Sequence, residues 1–262
     1  MTAVTKNQHT PLPGLLNDVI AMTRRNLLRL CRTPQVIVFA TIQPVIFVLL
    51  FNFVFGGSID FAEGVNYIDF LVPGILVQTS LFAAGNTAIG LTDDLQKGAI
   101  DRFRSLPMHH SAVLIGRTNA DALRAALTMT IITVVGFLVG FRTDHYGGLI
   151  LGVLLAIALA YAFNWVFATF ALYVKDPEAA QAGAFLPVFP LVFAASTFAP
   201  VQNMPGWLQP FANNQPVTVT VDAIRALTQG MPPGRDAVMS LGYSVAILVV
   251  FIPLASRKFR KG

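Results

Sequence analysis

Charge is scarce in this sequence. Only 12% of its 262 residues are Asp, Glu, Lys or Arg, while 55% are hydrophobic, more apolar side chain than one soluble core can enclose. That balance excludes a solvated globular domain and indicates an integral membrane protein. Cysteine is scarcer still: Cys31 stands alone, so no intrachain disulfide can form, and its neighbours Arg29 and Arg32 suit a thiol on the reducing side of a membrane. The chain has no GxxxxGK[ST] phosphate cradle, no GxGxxG turn, and neither HExxH nor CxxC. It therefore has no site of its own for hydrolysing a nucleotide, and an enzyme is not expected. Of His9, His109, His110 and His145 only the adjacent pair could share a ligand, and helix neighbours point about 100° apart. They read as polar loop residues, and no resident metal is expected. Ionisable residues are also missing from the middles of the apolar runs, where proton relays place them despite a cost of several kcal/mol each.

What is present is long apolar runs. Six reach the roughly 20 residues needed to cross a hydrocarbon core of about 30 Å: approximately 34–56, 67–92, 119–141, 148–173, 180–200 and 237–256. In the first, "TPQVIVFATIQPVIFVLLFNFVFGG", Thr33 can cap and Pro34 takes the first helical position, where its missing N–H costs nothing. The polar leader and the length of the apolar run are both too great for a cleaved signal peptide, so this span is expected to persist in the mature protein. In the fifth run, Pro187 and Pro190 each remove a backbone hydrogen bond and predict a kinked or broken helix. Six crossings place both termini on one face, and that face then holds 15 of the 18 Lys and Arg residues, leaving Arg142, Arg225 and Arg235 opposite. The crowded face is cytoplasmic by the positive-inside rule. The reading is an all-α membrane protein of six transmembrane helices, a single domain over 1–262, with both termini cytoplasmic.

Three segments lie outside the spans. Leader residues 1–33 contain "LPGLLNDVIAMTRRNLLRLCRTP", whose leucines recur at mostly helical spacing between arginines, as in an amphipathic helix lying in the interface near anionic headgroups. Residues 93–110, "DDLQKGAIDRFRSLPMHH", put Leu95, Ala99, Phe103 and Leu106 on one stripe of a helix that Pro107 ends. Asp93 and Asp94 open it and Arg102 and Arg104 close it, matching the macrodipole. Gly98 in its middle suggests a close backbone approach or an exposed, tolerant position. Periodicity alone fits a solvated connector as well as a docking helix. Residues 201–236 join the last two spans, and Trp207, Phe211 and a short helical run near Asp222–Leu227 predict an extracytoplasmic interfacial or re-entrant structure. Two GxxxG patterns, Gly136 to Gly140 and Gly148 to Gly152, are accounted for by a packed hairpin of spans three and four. Asp121 and Arg124, three residues apart, are expected to neutralise each other.

The cassette "DLQKGAIDRFRSLPM" resembles the coupling-helix signature of type-2 ABC exporter permeases: a polar turn, Gly98, the acidic-basic pair Asp101 and Arg102, an apolar residue, then Pro107. The stretch "NMPGWLQPFANNQPVTVTVDAIRAL" looks like the segment before the last span in the same family, and the likeness is greatest to daunorubicin-resistance-type permeases of actinobacteria. Ala99 stands where threonine is common, and Gln215 precedes the proline where asparagine is usual. The resemblance implies that 93–110 is a coupling helix docking on a separate ABC ATPase subunit, with Leu95 and Phe103 as apolar anchors and Gly98 within it. Asp94, Asp101, Arg102 and Arg104 would set its orientation. Lys175 and Asp176, in "KDPEAA", would form a smaller contact on the same side. It further implies a second permease copy or a related permease, with ATP and Mg held only by the ATPase and no cofactor in this chain. The cargo would be a hydrophobic drug, lipid or glycolipid exported outward, in contact with membrane lipid, and nucleic acid has no part.

Phenylalanines recur every four residues in the first and fifth spans. Gln43, Phe47, Phe51, Phe189 and Phe193 are candidates for a substrate path facing the space between two permeases; lipid-facing phenylalanines fit the same spacing, since each step of four drifts about 40° around a helix. A stand-alone secondary transporter or channel for small amphipathic solutes is the rival reading, and a membrane-embedded lipid enzyme a weaker one, since no acids, histidines or nucleophiles converge.

Overall fold

The computed structural model describes residues 14–56, 66–104, 108–174 and 176–261. Ser105–Pro107, with the predicted helix stop, lie outside the described residues, as does Lys175. Among the described residues the chain is helical, without strands, as a bilayer requires of any segment that must satisfy its own backbone. Five helices are long and apolar enough to cross a membrane: Ile37–Val54, Tyr67–Gln96, Ser111–Val139, Tyr146–Val174 and Gly234–Arg260.

Helix α1, Leu15–Cys31, is amphipathic and lies across the start of α5, His110–Val139. The two approach closely because residue 116 is glycine; a Cβ there would strike Met22 and the backbone of Thr23. Leu16 and Ile20 stay exposed on the side of α1 away from α5. Helix α2 runs Pro34–Leu50 and widens into a π turn over Phe51–Phe55. Pro34 is the first helical residue as expected, but the Thr33 hydroxyl turns back to donate to the carbonyl of Arg29 at 3.0 Å and does not cap α2.

Helix α3, Tyr67–Gln96, is the centre of the bundle and is buried on most of its length. Its 30 residues span about 45 Å. It packs chiefly on α6, Tyr146–Val174, where the buried Ser80 hydroxyl lies 3.2 Å from the carbonyl oxygen of Ala156. The outermost helices, α2 and α10 (Gly234–Lys261), keep most of their apolar surface exposed, as lipid-facing helices do.

Helix α7, Pro177–Phe193, passes through Pro187 and Pro190 and stops. Its 17 residues extend about 26 Å, short of the roughly 30 Å hydrocarbon core, and the remainder of the predicted fifth run folds as bends with Ser196 and Thr197 buried. The following segment carries α8, Gln209–Asn214, and α9, Pro216–Thr228. Helix α9 is longer than the sequence suggested and penetrates the bundle against α3, α6 and α10. The glycine pairs correct the expected hairpin: Gly148 and Gly152 face α9, and a Cβ at either would overlap Leu227 or Ile224. Gly136 faces Val72 of α3, and Gly140 ends α5 at φ +121°. Small residues here make room for α9.

Candidate functional site

The end of α3 was expected to begin a new helix at Asp93; instead α3 continues through Gln96, so Asp93, Asp94 and Leu95 belong to its last turn. Gly98, at φ +64°, breaks the chain out of the helix, with the amides of Lys97 and Gly98 donating to the carbonyls of Asp93 and Leu95. No atom of the described residues lies within 4 Å of where a Cβ of Gly98 would be. The glycine is there for its left-handed backbone conformation; no close contact demands it. Beyond it, α4 is only Ala99–Arg104. The predicted single helix over this stretch is therefore a helix end, a turn and a second short helix.

Two carboxylates at a helix C-terminus oppose the macrodipole, and nearby cations answer them. Asp94 is buried and accepts from Nη1 of Arg29 at 2.7 Å and Nη1 of Arg117 at 2.9 Å. Asp93 pairs with Lys97 at 2.7 Å and with Arg29 at 3.3 Å. Bonding to Asp94 holds the Arg29 guanidinium above its ordinary value. Arg117 also reaches Asp121 at 3.2 Å, and Arg124 reaches it at 3.3 Å, giving the expected Asp121–Arg124 pair a second partner. The hydroxyl of Thr87 donates to Asp121 at 2.8 Å, and Asn164 closes the layer by donating to the carbonyl of Thr118 at 3.4 Å. One ionic chain thus fastens α1, α3 and α5 where α4 begins.

Phe103 is half-buried against the core, with the guanidinium of Arg25 4.4 Å above its ring, within cation–π range. Burial pushes that guanidinium below its ordinary value. Leu95 likewise packs inward. The Asp176 carboxylate caps α7 by accepting from the amide of Ala179 at 2.7 Å, and Nε2 of Gln96 lies 3.4 Å from it. Asp176 and the end of α3 therefore share one surface with α4. The side chains of Asp101, Arg102 and Arg104 lie outside the described residues. Asp18 of α1 accepts from the amide of His109 at 2.9 Å and lies 3.0 Å from its Nδ1, tying the return from α4 to α1.

The aromatic candidates meet within one chain. Phe47 lies 5.9 Å from Phe51, which stacks at 4.5 Å on Phe198; Phe198 is 5.3 Å from Phe193, which stacks at 5.8 Å on Phe189. Phe82 of α3 continues the row, 5.7 Å from Phe189. Phe198 and Phe82, which join the two stripes, were not legible from i, i+4 spacing because each comes from a different element. Gln43 stands beside this row, on the wall of a cleft of about 580 Å³ bounded by α1, α2, α3, α5 and α7.

A profile of the ABC-2 type transporter family matches residues 17–228, from α1 through α9. The daunorubicin resistance ABC transporter permease protein DrrB1 of Streptomyces coeruleorubidus is 30% identical over 274 aligned positions, covering 98% of this chain and 96% of the relative. The probable doxorubicin resistance ABC transporter permease protein DrrC of Mycobacterium tuberculosis is 28% identical, covering 94% and 92%. A putative transport permease of Cyanophora paradoxa, ycf38, is 23% identical, covering 94% and 89%. The profile match over residues 17–228 and likeness over nearly the whole length of resistance permeases make this multi-pass membrane chain a member of the ABC-2 type transporter family, permease subunits of ABC exporters.

Proposed function

We propose that this chain receives force through α4 from a separate ATPase subunit and moves hydrophobic drugs, lipids or glycolipids outward across the plasma membrane of a bacterium. The observation that carries the reading is the joint at Gly98. It frees a six-residue helix from the axis of α3, while Arg29, Asp94 and Arg117 hold the end of α3 to two neighbours. A helix that short is unstable alone and owes its order to what it touches. Force on α4 passes through the backbone to the central helix and through Phe103 and Arg25 to α1.

In this reading Phe103, Asp101, Arg102 and Arg104 meet the ATPase directly, with Lys175 and Asp176 beside them. Asp94, Leu95 and Gly98 act from behind, as fastening, packing and joint. ATP and Mg are bound by the ATPase, and two permeases, identical or related, pair with two ATPases. Helix α7 with residues 194–200 makes a sixth crossing; α1 lies along the inner interface and residues 201–236 re-enter from outside. The distribution of Lys and Arg supports that orientation, with both termini cytoplasmic. Residues Gln43, Phe47, Phe51, Phe189 and Phe193 line the route of an apolar cargo. The resistance-permease names of the relatives support a hydrophobic cargo.

The test pairs Phe103→Ala with Asp101→Ala in the coexpressed complex. The double variant is expected to insert normally and leave ATP hydrolysis running while transport stops. Transport at the unmodified rate would remove α4 from the mechanism.

A further inference from the structure

We propose that the cleft between α1, α2, α3, α5 and α7 is a headgroup site for an acidic membrane amphiphile, one carrying a phosphate or carboxylate head on an acyl tail. As a cargo site it rests on the exporter reading; as a binding site it does not.

Size, charge and shape agree. At about 580 Å³ the cleft is in the range of small-ligand sites. Three guanidiniums line it, those of Arg29, Arg117 and Arg124, against the single carboxylate of Asp121. Asp94, bonded to Arg29 and Arg117, offsets a second charge, and Asp93 is answered by Lys97. One positive charge is left over, in a place where an anion is welcome and a cationic head is repelled. Arg124 is best placed to supply it: its Nη2 serves Asp121 and the carbonyl of Ala83, while its Nε and Nη1 make no bond among the described residues. A guanidinium with free N–H groups is the donor suited to phosphate or carboxylate.

Behind Arg124 the cleft continues into a recess of about 60 Å³, room for roughly two waters or a hydroxyl-bearing part of a head. On its wall, Gln78 is 2% exposed and its Oε1 has no hydrogen-bond partner among the described residues. An unpaired buried acceptor costs about 1–3 kcal/mol, and a hydroxyl or amine of the ligand would satisfy it. The cleft is also walled by Phe39, Phe82 and Phe185, and Phe82 lines the recess as well. Phe39 is exposed toward the surroundings of the bundle, and Phe82 leads into the row Phe189, Phe193, Phe198, Phe51 and Phe47. A tail lying along those rings keeps its head among the arginines.

The experiment uses the full chain in nanodiscs of phosphatidylcholine, without ATP or partner, titrated with a fluorescent short-chain phosphatidylglycerol. Saturable binding is expected, at least about tenfold tighter than for the phosphatidylcholine analogue. Arg124→Gln should weaken it by about tenfold or more, and Gln78→Leu, which replaces an unbonded acceptor by an apolar group of similar size, should weaken it about threefold without unfolding the chain. Inorganic phosphate at millimolar concentration should not compete, because it has no tail. Equal affinity for the neutral analogue, tighter binding of a cationic amphiphile, competition by free phosphate, or indifference to both substitutions would each overturn the proposal. Because no ATP is present, loss of coupled transport with binding intact counts against the exporter reading alone.

Discussion

Asp94 is the residue on which most of the local architecture turns. It gives one oxygen to Arg29 and the other to Arg117, and it is buried with little solvent to take over either bond. Removing one member of such a buried ion pair typically costs about 3–5 kcal/mol, because the partner charges are left unanswered. Asp94→Asn is therefore expected to lower the thermal unfolding midpoint and to raise hydrogen exchange in α1; an unchanged profile would make the pairing incidental. Gly98→Ala is smaller in effect. At φ +64° alanine costs about 1 kcal/mol, with no clash to add. Its expected outcome is near-normal insertion with weakened coupling.

Also at this scale, Asp18 supplies a pH prediction. The backbone and ring bonds from His109 hold its carboxyl below the ordinary value of 3.8. A depressed folded value gives stabilisation that is complete above the unfolded value and is lost as pH falls through the lower folded one. Protection of the His109 amide should thus hold from pH 7 down to about 5 and fade only below about 4. Asp18→Asn should reduce it at every pH. Protection left unchanged by Asp18→Asn would show that the carboxylate does not hold that amide.

Among the elements, α9 shows how a short helix is seated inside the bundle. Arg225 is buried beneath the Phe70 ring, 3.4 Å from its centroid, and donates to the carbonyl of Phe70 at 3.0 Å and to Asp222 at 2.9 Å. Gly148 and Gly152 leave the space that Leu227 and Ile224 fill. Gly148→Leu would drive a side chain into the backbone of Leu227, so α9 should lose its seat. Cysteine accessibility at Val221, buried in the native packing, should rise in a Cys31→Ser background; continued protection would show that α9 does not depend on that gap.

Long apolar helices were legible because membrane crossing imposes length and composition on any sequence; α3, α6 and α10 end within a few residues of the expected spans or extend them. Helix α7 ends before the apolar run does: after two prolines, the Ser196 hydroxyl donates to Asp222 of α9 and the carbonyl of Ala194 accepts from Gln215 on the approach to it. In the site, Asp121 with Arg124 was visible as an i, i+3 pair. Arg117 completes the same face four residues earlier, a spacing the sequence displayed; its bond to Asp94 joins separate helices and needed the structure. Gly98 stood out as an exception within a helical pattern, but its left-handed φ is not written in composition.

For the whole molecule, the account requires an even number of crossings. In a Cys31→Ser background, an impermeant maleimide should label Trp207→Cys on intact cells, because Trp207 is exposed at the α8 end, and Lys258→Cys only after permeabilisation. The opposite pattern at Lys258 would mean five crossings.

The most direct measurement places a photo-crosslinking benzoylphenylalanine at position 103 in cells coexpressing the ATPase subunit. The account predicts that irradiation joins this chain to the ATPase through α4, with the yield altered by ATP, and that controls on the α8–α9 side capture none. Capture of the ATPase only from other positions, or modification of residue 103 by an impermeant reagent from outside the cell, would contradict it.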